Sequence, residues 1–434
     1  MNQSNQERIY QLAARYLPGG VCSSARVHKA LGRPIYVTHA QGSRVYDADG
    51  KEYLDLFMSY GAALVGHGHP AIQAAVRQAL ELGFPCAYET EYQARLAQRF
   101  AELVPCIDMV RFTLSGTETT YYAVKLARAY TRRPKVVKFE GHFHGYNDYL
   151  AYNYWPAPHQ MWPQFTPVVE GVPDAFQQEV IVLPFNDFEV LEKTLTQRGH
   201  EIAAVILEPL NYNSGGIHPL PGYLQKLRQL TSEQGIVLIF DEILSGFRTG
   251  PGCMQAYFGV TPDLCTLGKC IAGGLDLSLF GGKREIMSHV APLGKAQHSG
   301  TFNGLWLPVM AGLAFLDIIT QPDFYPSLLA RCDRLYSGIN QIMQRLGIPG
   351  RVNGTGARCA FFFGALAEKE HITSYRDTAQ NDWDMFNRFA RQALEHGLFV
   401  HVLWHHGISG MHSEADVDTI LERMEDVLKQ LRHS

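Results

Sequence analysis

What this sequence lacks narrows its function first. It has no excess of either charge: 38 Lys and Arg face 42 Asp and Glu, a formal net charge of -4. That balance gives no electrostatic reason to bind nucleic acid or an anionic membrane surface. No apolar run approaches the roughly 20 residues that span a bilayer. Met1–Arg8 is polar and shows no basic-then-apolar leader, which predicts a cytoplasmic protein. The 8 cysteines form no CxxC pair and are scattered through apolar segments such as Asp263–Ile271. This predicts free buried thiols in a reducing compartment rather than a disulfide framework. Repeats, low-complexity tracts and obvious linkers are absent as well.

What is present is an ordinary globular composition, 46% hydrophobic and 18% charged, spread over 434 residues. That length exceeds what one core usually serves, so two packed units are expected. The middle of the chain alternates short apolar runs with helical patterns, which predicts an α/β unit on a largely parallel sheet. The strand-like runs are 135–139 (KVVKF), 203–207 (AAVIL), 236–240 (IVLIF) and 263–267 (DLCTL), with a helical pattern at 222–233. Near the carboxyl end, Val417, Ile420, Leu421, Met424, Val427, Leu428 and Leu431 recur at helical spacing. Ser413 and Asp416 stand as a capping pair before them. The expected division is a large domain over 57–310 and a small α+β domain built from 1–56 and 311–434.

The chemistry gathers where the apolar runs stop. The run 203–207 leads into Glu208, 236–240 into Asp241 and Glu242, and 263–267 into Gly268 and Lys269. In a parallel sheet these ends share one edge, where ligands bind. Each carboxylate alone could cap a helix or pair with a surface arginine; two carboxylates and a lysine on neighbouring strand ends are a stronger signal. A further strand-like segment, 111–114, runs through Ser115-Gly116-Thr117 into a helix predicted over 118–130. Small and hydroxyl residues at a helix start offer N–H groups at its positive end, a phosphate cradle or a plain cap. The segment is neither a Walker loop nor a dinucleotide fingerprint. A lysine that can form an imine, an aspartate that can hold a ring nitrogen protonated and a phosphate cradle are the parts of a pyridoxal-phosphate (PLP) site.

With those residues in view, the chain resembles a class III aminotransferase of PLP fold type I, within the glutamate-1-semialdehyde 2,1-aminomutase-like group. The stretches that carry the resemblance run from about Tyr16 to the last helix: LPGGVCSSAR (17–26), GHGHP (66–70), SGTE (115–118), KFEGHFHG (138–145), Glu208-Pro209, DEILSGFR (241–248), TLGKCIAGG (266–274) and Gly300-Thr301. The resemblance implies that Lys269 carries PLP as a Schiff base and shuttles the proton. It implies that Asp241 pairs with the ring nitrogen, Ile243 packs beneath the ring, and Phe143 stacks above it with His144 beside. Ser115, Gly116 and Thr117 would hold the phosphate, and Glu208 and Asn213 would lie near the phenolic oxygen. Thr301 would reach the phosphate of a partner subunit, which implies a homodimer. Arg26 would take the substrate carboxylate, and Tyr60 would stand at the pocket mouth.

Four departures from the group's pattern stand out, Thr119-Thr120-Tyr121 after SGTE being one, and several fall where substrate is chosen. Trp404-His405-His406-Gly407 replaces a glutamate before glycine, 302–306 (FNGLW) follows Thr301, and Leu275-Asp276 follows Gly274. The expected activity is therefore ping-pong amino transfer from an amino acid, with β- and aromatic amino acids among the candidates, to a keto acid. The alternatives are the aminomutase itself, a PLP racemase or epimerase, and a vitamer-binding protein without catalysis. His67 and His69 have no third ligand at metal spacing and read as a structural turn. The aromatic stretch 149–162 reads either as a pocket wall or as a self-packing loop.

Overall fold

A lysine and carboxylates from different strands can share one edge only if those strands run the same way. The computed structural model describes residues 4–83, 87–157, 162–163, 169–401 and 404–433. The chain divides into two compact units, one of Met1–His69, Pro326–Glu370 and Gln380–Ser434, the other of Pro70–Tyr325 and His371–Ala379.

The first unit holds an antiparallel meander of β1 (Val37–Gln41), β2 (Arg44–Asp47) and β3 (Glu52–Asp55). The second unit holds β4 (Met109–Thr113), β5 (Lys135–Phe139), β6 (Val180–Leu183), β7 (Ile202–Leu207), β8 (Val237–Glu242), β9 (Leu264–Leu267) and β10 (Ser278–Gly282). They form one sheet in the order β4-β10-β9-β8-β7-β5-β6. Strands β9, β8, β7, β5 and β6 are parallel, and β10 runs antiparallel to both β9 and β4. The first unit is completed by the hairpin β11 (Gly350–Thr355) and β12 (Arg358–Phe363) and by β13 (Leu398–Phe399), which pairs in parallel with β3.

The central strands are apolar throughout because both faces of the sheet are covered. Every residue of β7 is buried, and the helix Gly116–Thr131 lays Ala123, Val124 and Ala127 against Val136, Ala204, Ile206, Ile239 and Leu264. Two expected boundaries shift in ways that matter. Strand β8 continues to Glu242, so Asp241 and Glu242 are strand residues and face opposite sides of the sheet. The helix expected from Glu118 begins at Gly116 instead, because Ser115 caps it.

The carboxyl-terminal helix, Glu414–His433, starts on a reciprocal cap: Ser413 N donates to Asp416 Oδ2 at 2.9 Å and Asp416 N donates to Ser413 Oγ at 3.1 Å. Asp416 also accepts from Arg44 Nη2 at 2.8 Å and Ser43 Oγ at 3.1 Å, fastening this helix to β2. Among the described cysteines Cys22 is exposed and the other six are buried, all as free thiols; Cys86 lies outside the described residues. The exposed Cys22 departs from the expectation of burial, because its segment of the first unit is open to solvent. No helix among the described residues is long and apolar enough to cross a membrane. Replacing the cap, Ser413→Ala, is expected to lower the unfolding free energy by about 1 kcal/mol in urea denaturation.

Candidate active site

Because they point the same way, β4, β5, β7, β8 and β9 deliver their last residues to one edge of the sheet. That edge receives Ser115-Gly116-Thr117 after β4, the segment 140–145 after β5, Glu208 after β7, Asp241 at the end of β8 and Gly268-Lys269 after β9. Strand β10 starts there with Ser278.

Asp241 is 3% exposed, and its two oxygens are met by three groups. Thr266 Oγ1 donates to Oδ1 at 2.8 Å, Ile243 N donates to Oδ1 at 3.1 Å, and His144 Nδ1 lies 2.7 Å from Oδ2. Donors on both oxygens suit a carboxylate, which only accepts. Glu242 turns to the other face, where it accepts from Met254 N at 2.6 Å and Gln255 Nε2 at 2.9 Å. Burial pushes its carboxyl up to about 7. It fastens the helix Cys253–Phe258 and takes no part in this edge.

The segment after β5 is tied from several directions. Phe143 N donates to Glu208 Oε1 at 2.9 Å, Glu208 N donates to His142 Nδ1 at 3.0 Å, and Thr120 Oγ1 donates to the His144 carbonyl at 2.7 Å. Asn213 N reaches Glu208 Oε2 at 3.4 Å. Burial pushes the Glu208 carboxyl up to about 8, against the pull of the Phe143 amide. Beneath the segment lies Lys138, wholly buried in β5, whose Nζ donates to the carbonyls of His142 at 3.0 Å, Leu150 at 3.1 Å and Tyr152. Burial pushes its ammonium down to about 7, and three carbonyls that each take one proton favour the charged form against that push.

At the start of the helix Gly116–Thr131, Ser115 Oγ accepts from Glu118 N at 3.2 Å and Glu118 Oε2 accepts from Leu114 N at 2.9 Å. The first intrahelical bond runs from Thr119 N to Ser115 O, which leaves the N–H groups of Gly116 and Thr117 at the helix's positive end. A Cβ on Gly116 would stand 3.2 Å from Ile243 Cγ2, so the glycine brings backbone and Ile243 together. Lys269 is half-buried with φ of +52°, a left-handed turn that lifts it from the line of β9.

Lys269, Asp241, Ser115, Gly116, Thr117, Phe143, His144, Glu208, Asn213 and Ile243 thus all belong to this edge of the second unit. Thr301 does not join them: it is exposed on a turn, 301–304, and forms no hydrogen bond to any of them. Arg26 and Tyr60 belong to the first unit, where both line a cavity of about 550 Å³ with His28, Phe57 and His401. Tyr60 donates from its hydroxyl to the Ala25 carbonyl. His405 meets Tyr60 edge-on at 5.5 Å between ring centroids. His67 Nε2 lies 2.7 Å from Asp55 Oδ2.

In the aromatic stretch, Tyr146 and Tyr154 meet Phe143 edge-on at 5.3 and 5.2 Å, and Trp155 packs on Tyr154 at 4.9 Å; residues 158–161 lie outside the described residues. Sequence reasoning missed Thr266, Thr120, His142 and Lys138. A lysine inside the apolar run 135–139 was a signal for the last. Thr266 gave none, since it meets Asp241 only through the pairing of β8 with β9.

The model of the aminotransferase class-III family matches residues 25–428. A glutamate-1-semialdehyde 2,1-aminomutase from Persephonella marina is 38% identical over 434 residues, covering 99% of this chain and all of that one. Among solved structures, an omega-transaminase from Sphaerobacter thermophilus superposes with a TM-score of 0.93 at 33% identity, covering 99% of this chain and 98% of that chain. A β-phenylalanine aminotransferase from Variovorax paradoxus does so with a TM-score of 0.86 at 28% identity, covering 97% and 93%.

Removing the Thr266 hydroxyl while keeping its shape, Thr266→Val, leaves a buried carboxylate oxygen short of a donor. It is expected to cost about 2 kcal/mol of unfolding free energy, read by urea denaturation.

Proposed function

Since the chain belongs to the class III aminotransferases, PLP enzymes of fold type I, we propose that Lys269 is its cofactor lysine and that the edge around Asp241 is the catalytic centre. The enzyme moves an amino group between a small-molecule donor and a keto acceptor. The residues present fit a phosphorylated pyridine aldehyde. The amides of Gly116 and Thr117 face a phosphate at the positive end of a helix, and the glycine leaves no Cβ in the way. When bound, PLP supplies an aldehyde carbon that takes up the amino group and a ring that draws electrons from the substrate Cα.

This chain's side chains do the rest. Lys269 Nζ would be the amine that holds the aldehyde carbon and the base that would move the proton at the substrate carbon. Asp241, held by Thr266, Ile243 N and His144, would present a carboxylate to the ring nitrogen and hold it protonated. Phe143 and Ile243 would enclose the ring, and Glu208 and Asn213 would orient the phenolic oxygen. Arg26 clamps the substrate carboxylate with its planar guanidinium, and Tyr60 borders that pocket. Thr301, exposed on its turn, serves the phosphate of a second copy, which makes the enzyme a homodimer with shared sites. The free thiols fit a reducing cytoplasm.

The observation that carries the reading is the buried carboxylate of Asp241 with donors on both oxygens, one strand away from the lysine. For substrate, the replacement of a glutamate by His405 against Tyr60 favours transfer between separate molecules, with β- or aromatic amino acids as donors. The second reading, intramolecular transfer on glutamate-1-semialdehyde, is favoured by the 38% identity to an aminomutase.

A donor amino acid added alone should bleach the yellow enzyme and release one equivalent of keto product per site, with a keto acid restoring the colour. Lys269→Ala should show no such cycle. Isomerisation of glutamate-1-semialdehyde without exchange between external donor and acceptor would decide for the second reading. Mixing inactive Lys269→Ala subunits with Thr301→Ala subunits should restore activity above either parent. A mixture no better than its parents, with subunit exchange demonstrated, would place Thr301 in its own chain's site.

A further inference from the structure

The segment after β5 carries two histidines, His142 and His144, both wholly buried. Their hydrogen bonds settle which nitrogen of each ring bears the proton. Glu208 N donates to His142 Nδ1 at 3.0 Å. A backbone amide can only donate, so Nδ1 accepts and the neutral ring carries its proton on Nε2. At His144 the arrangement is reversed. Nδ1 lies 2.7 Å from Asp241 Oδ2, so Nδ1–H donates to the carboxylate and Nε2 of the neutral ring is a bare acceptor. Burial disfavours the charged form of both rings, pushing His142 well below its ordinary value and lowering His144 against the opposing pull of Asp241; the nearby Lys138 acts in the same direction as burial on both.

Neither Nε2 atom has a protein partner among the described residues. One is a buried donor and the other a buried acceptor, and either is costly to leave unmatched. The ring centroids are 6.2 Å apart. A ring nitrogen lies about 1.2 Å from its centroid, so the two Nε2 atoms come no closer than about 3.8 Å, beyond a direct hydrogen bond, and any link between them needs a water. The His142 ring has no freedom to turn away: Phe185 meets it edge-on at 4.6 Å, Phe139 packs at 5.6 Å, and Lys138 Nζ holds its carbonyl at 3.0 Å.

We propose that one ordered water joins the rings, accepting from His142 Nε2–H and donating to His144 Nε2, and that His142 is a positioning residue for the His144–Asp241 pair. The donors then run in one direction, from Glu208 N–H through His142, water and His144 to Asp241. Such a chain strengthens each of its members. With Nε2 of His144 occupied as an acceptor, its proton stays on Nδ1 facing the carboxylate. The catalytic consequence rests on the assignment of Asp241 to the ring nitrogen.

The test is NMR of the holoenzyme with isotope-labelled histidine ring nitrogens, the two signals assigned with His142→Gln and His142→Phe. The expected pattern is a proton on Nε2 of His142 and on Nδ1 of His144, with His144 Nε2 hydrogen-bonded. In His142→Phe, which suits the aromatic walls, the His144 Nε2 signal should move to that of a nitrogen without a hydrogen bond. Its kcat should fall about tenfold with KM for the amino donor within about twofold. His142→Gln can accept from Glu208 N–H and donate onward, and should recover to within about threefold of the parent. His144 protonated on Nε2, or His144 signals identical in His142→Phe and parent, would overturn the proposal. Should His142→Phe not fold, the parent's tautomers and the His142→Gln kinetics decide. If the tautomers are as stated and Asp241→Asn turns over normally, the water bridge stands and the assignment of Asp241 to the ring nitrogen falls.

Discussion

A carboxylate at the end of a buried strand has to be compensated where it stands, since an ion taken out of water costs several kcal/mol unless it is paired or hydrogen-bonded. Asp241 is that carboxylate, and its compensation organises the site. Thr266 comes from β9, the paired neighbour of β8; Ile243 N comes from two residues further on; His144 comes from the segment after β5, beyond β7. All three meet only when β5, β7, β8 and β9 are in register. The sheet therefore does more than carry these side chains. Its pairing is the condition under which the aspartate can be buried as an ion.

A second layer rests on the first. The segment bearing Phe143 and His144 has no regular structure of its own to hold it. It is held by Glu208 from β7, Thr120 from the helix Gly116–Thr131 and the Lys138 ammonium from β5. Its first residue, Glu140, is paired bidentately with Arg376 at 2.7 and 2.6 Å. Lys138 and Glu208 are both wholly enclosed, and burial pushes each toward its neutral form. They persist because their polar contacts are with backbone carbonyls and amides around the segment they support, which an apolar replacement would leave unmatched.

In the first unit the decisive feature is conformational. Met58, Ser59 and Tyr60 have φ of +53°, +52° and +55°, a left-handed run that non-glycine residues adopt at a cost. Asp55 Oδ1 stabilises its entry by accepting from Phe57 N at 2.9 Å and Met58 N at 3.0 Å, while Arg358 Nη1 holds the Phe57 carbonyl at 3.2 Å. The run sets Tyr60 against Ala25, His401 and His405. The left-handed run thus sets which rings Tyr60 meets.

The sequence by itself determined the parts whose signal is local. Apolar runs ending in Glu208, Asp241 and Lys269 marked strands and their functional ends. Ser115 marked a helix start, and Ser413 with Asp416 marked another. These follow from side-chain periodicity and from caps within four residues, which any reading along the chain can see. The tertiary structure alone decided which face each end residue takes and what meets it. Asp241 turns to the site and Glu242 away from it because β8 runs two residues further than its apolar stretch. Thr266 reaches Asp241 through strand pairing, and Lys138 becomes an internal clasp because the segment that follows it folds back over its ammonium. Whether Tyr60 would meet His401 and His405 was likewise settled by folding, since hydrogen bonds and ring contacts between residues hundreds of positions apart leave no periodic trace in the chain.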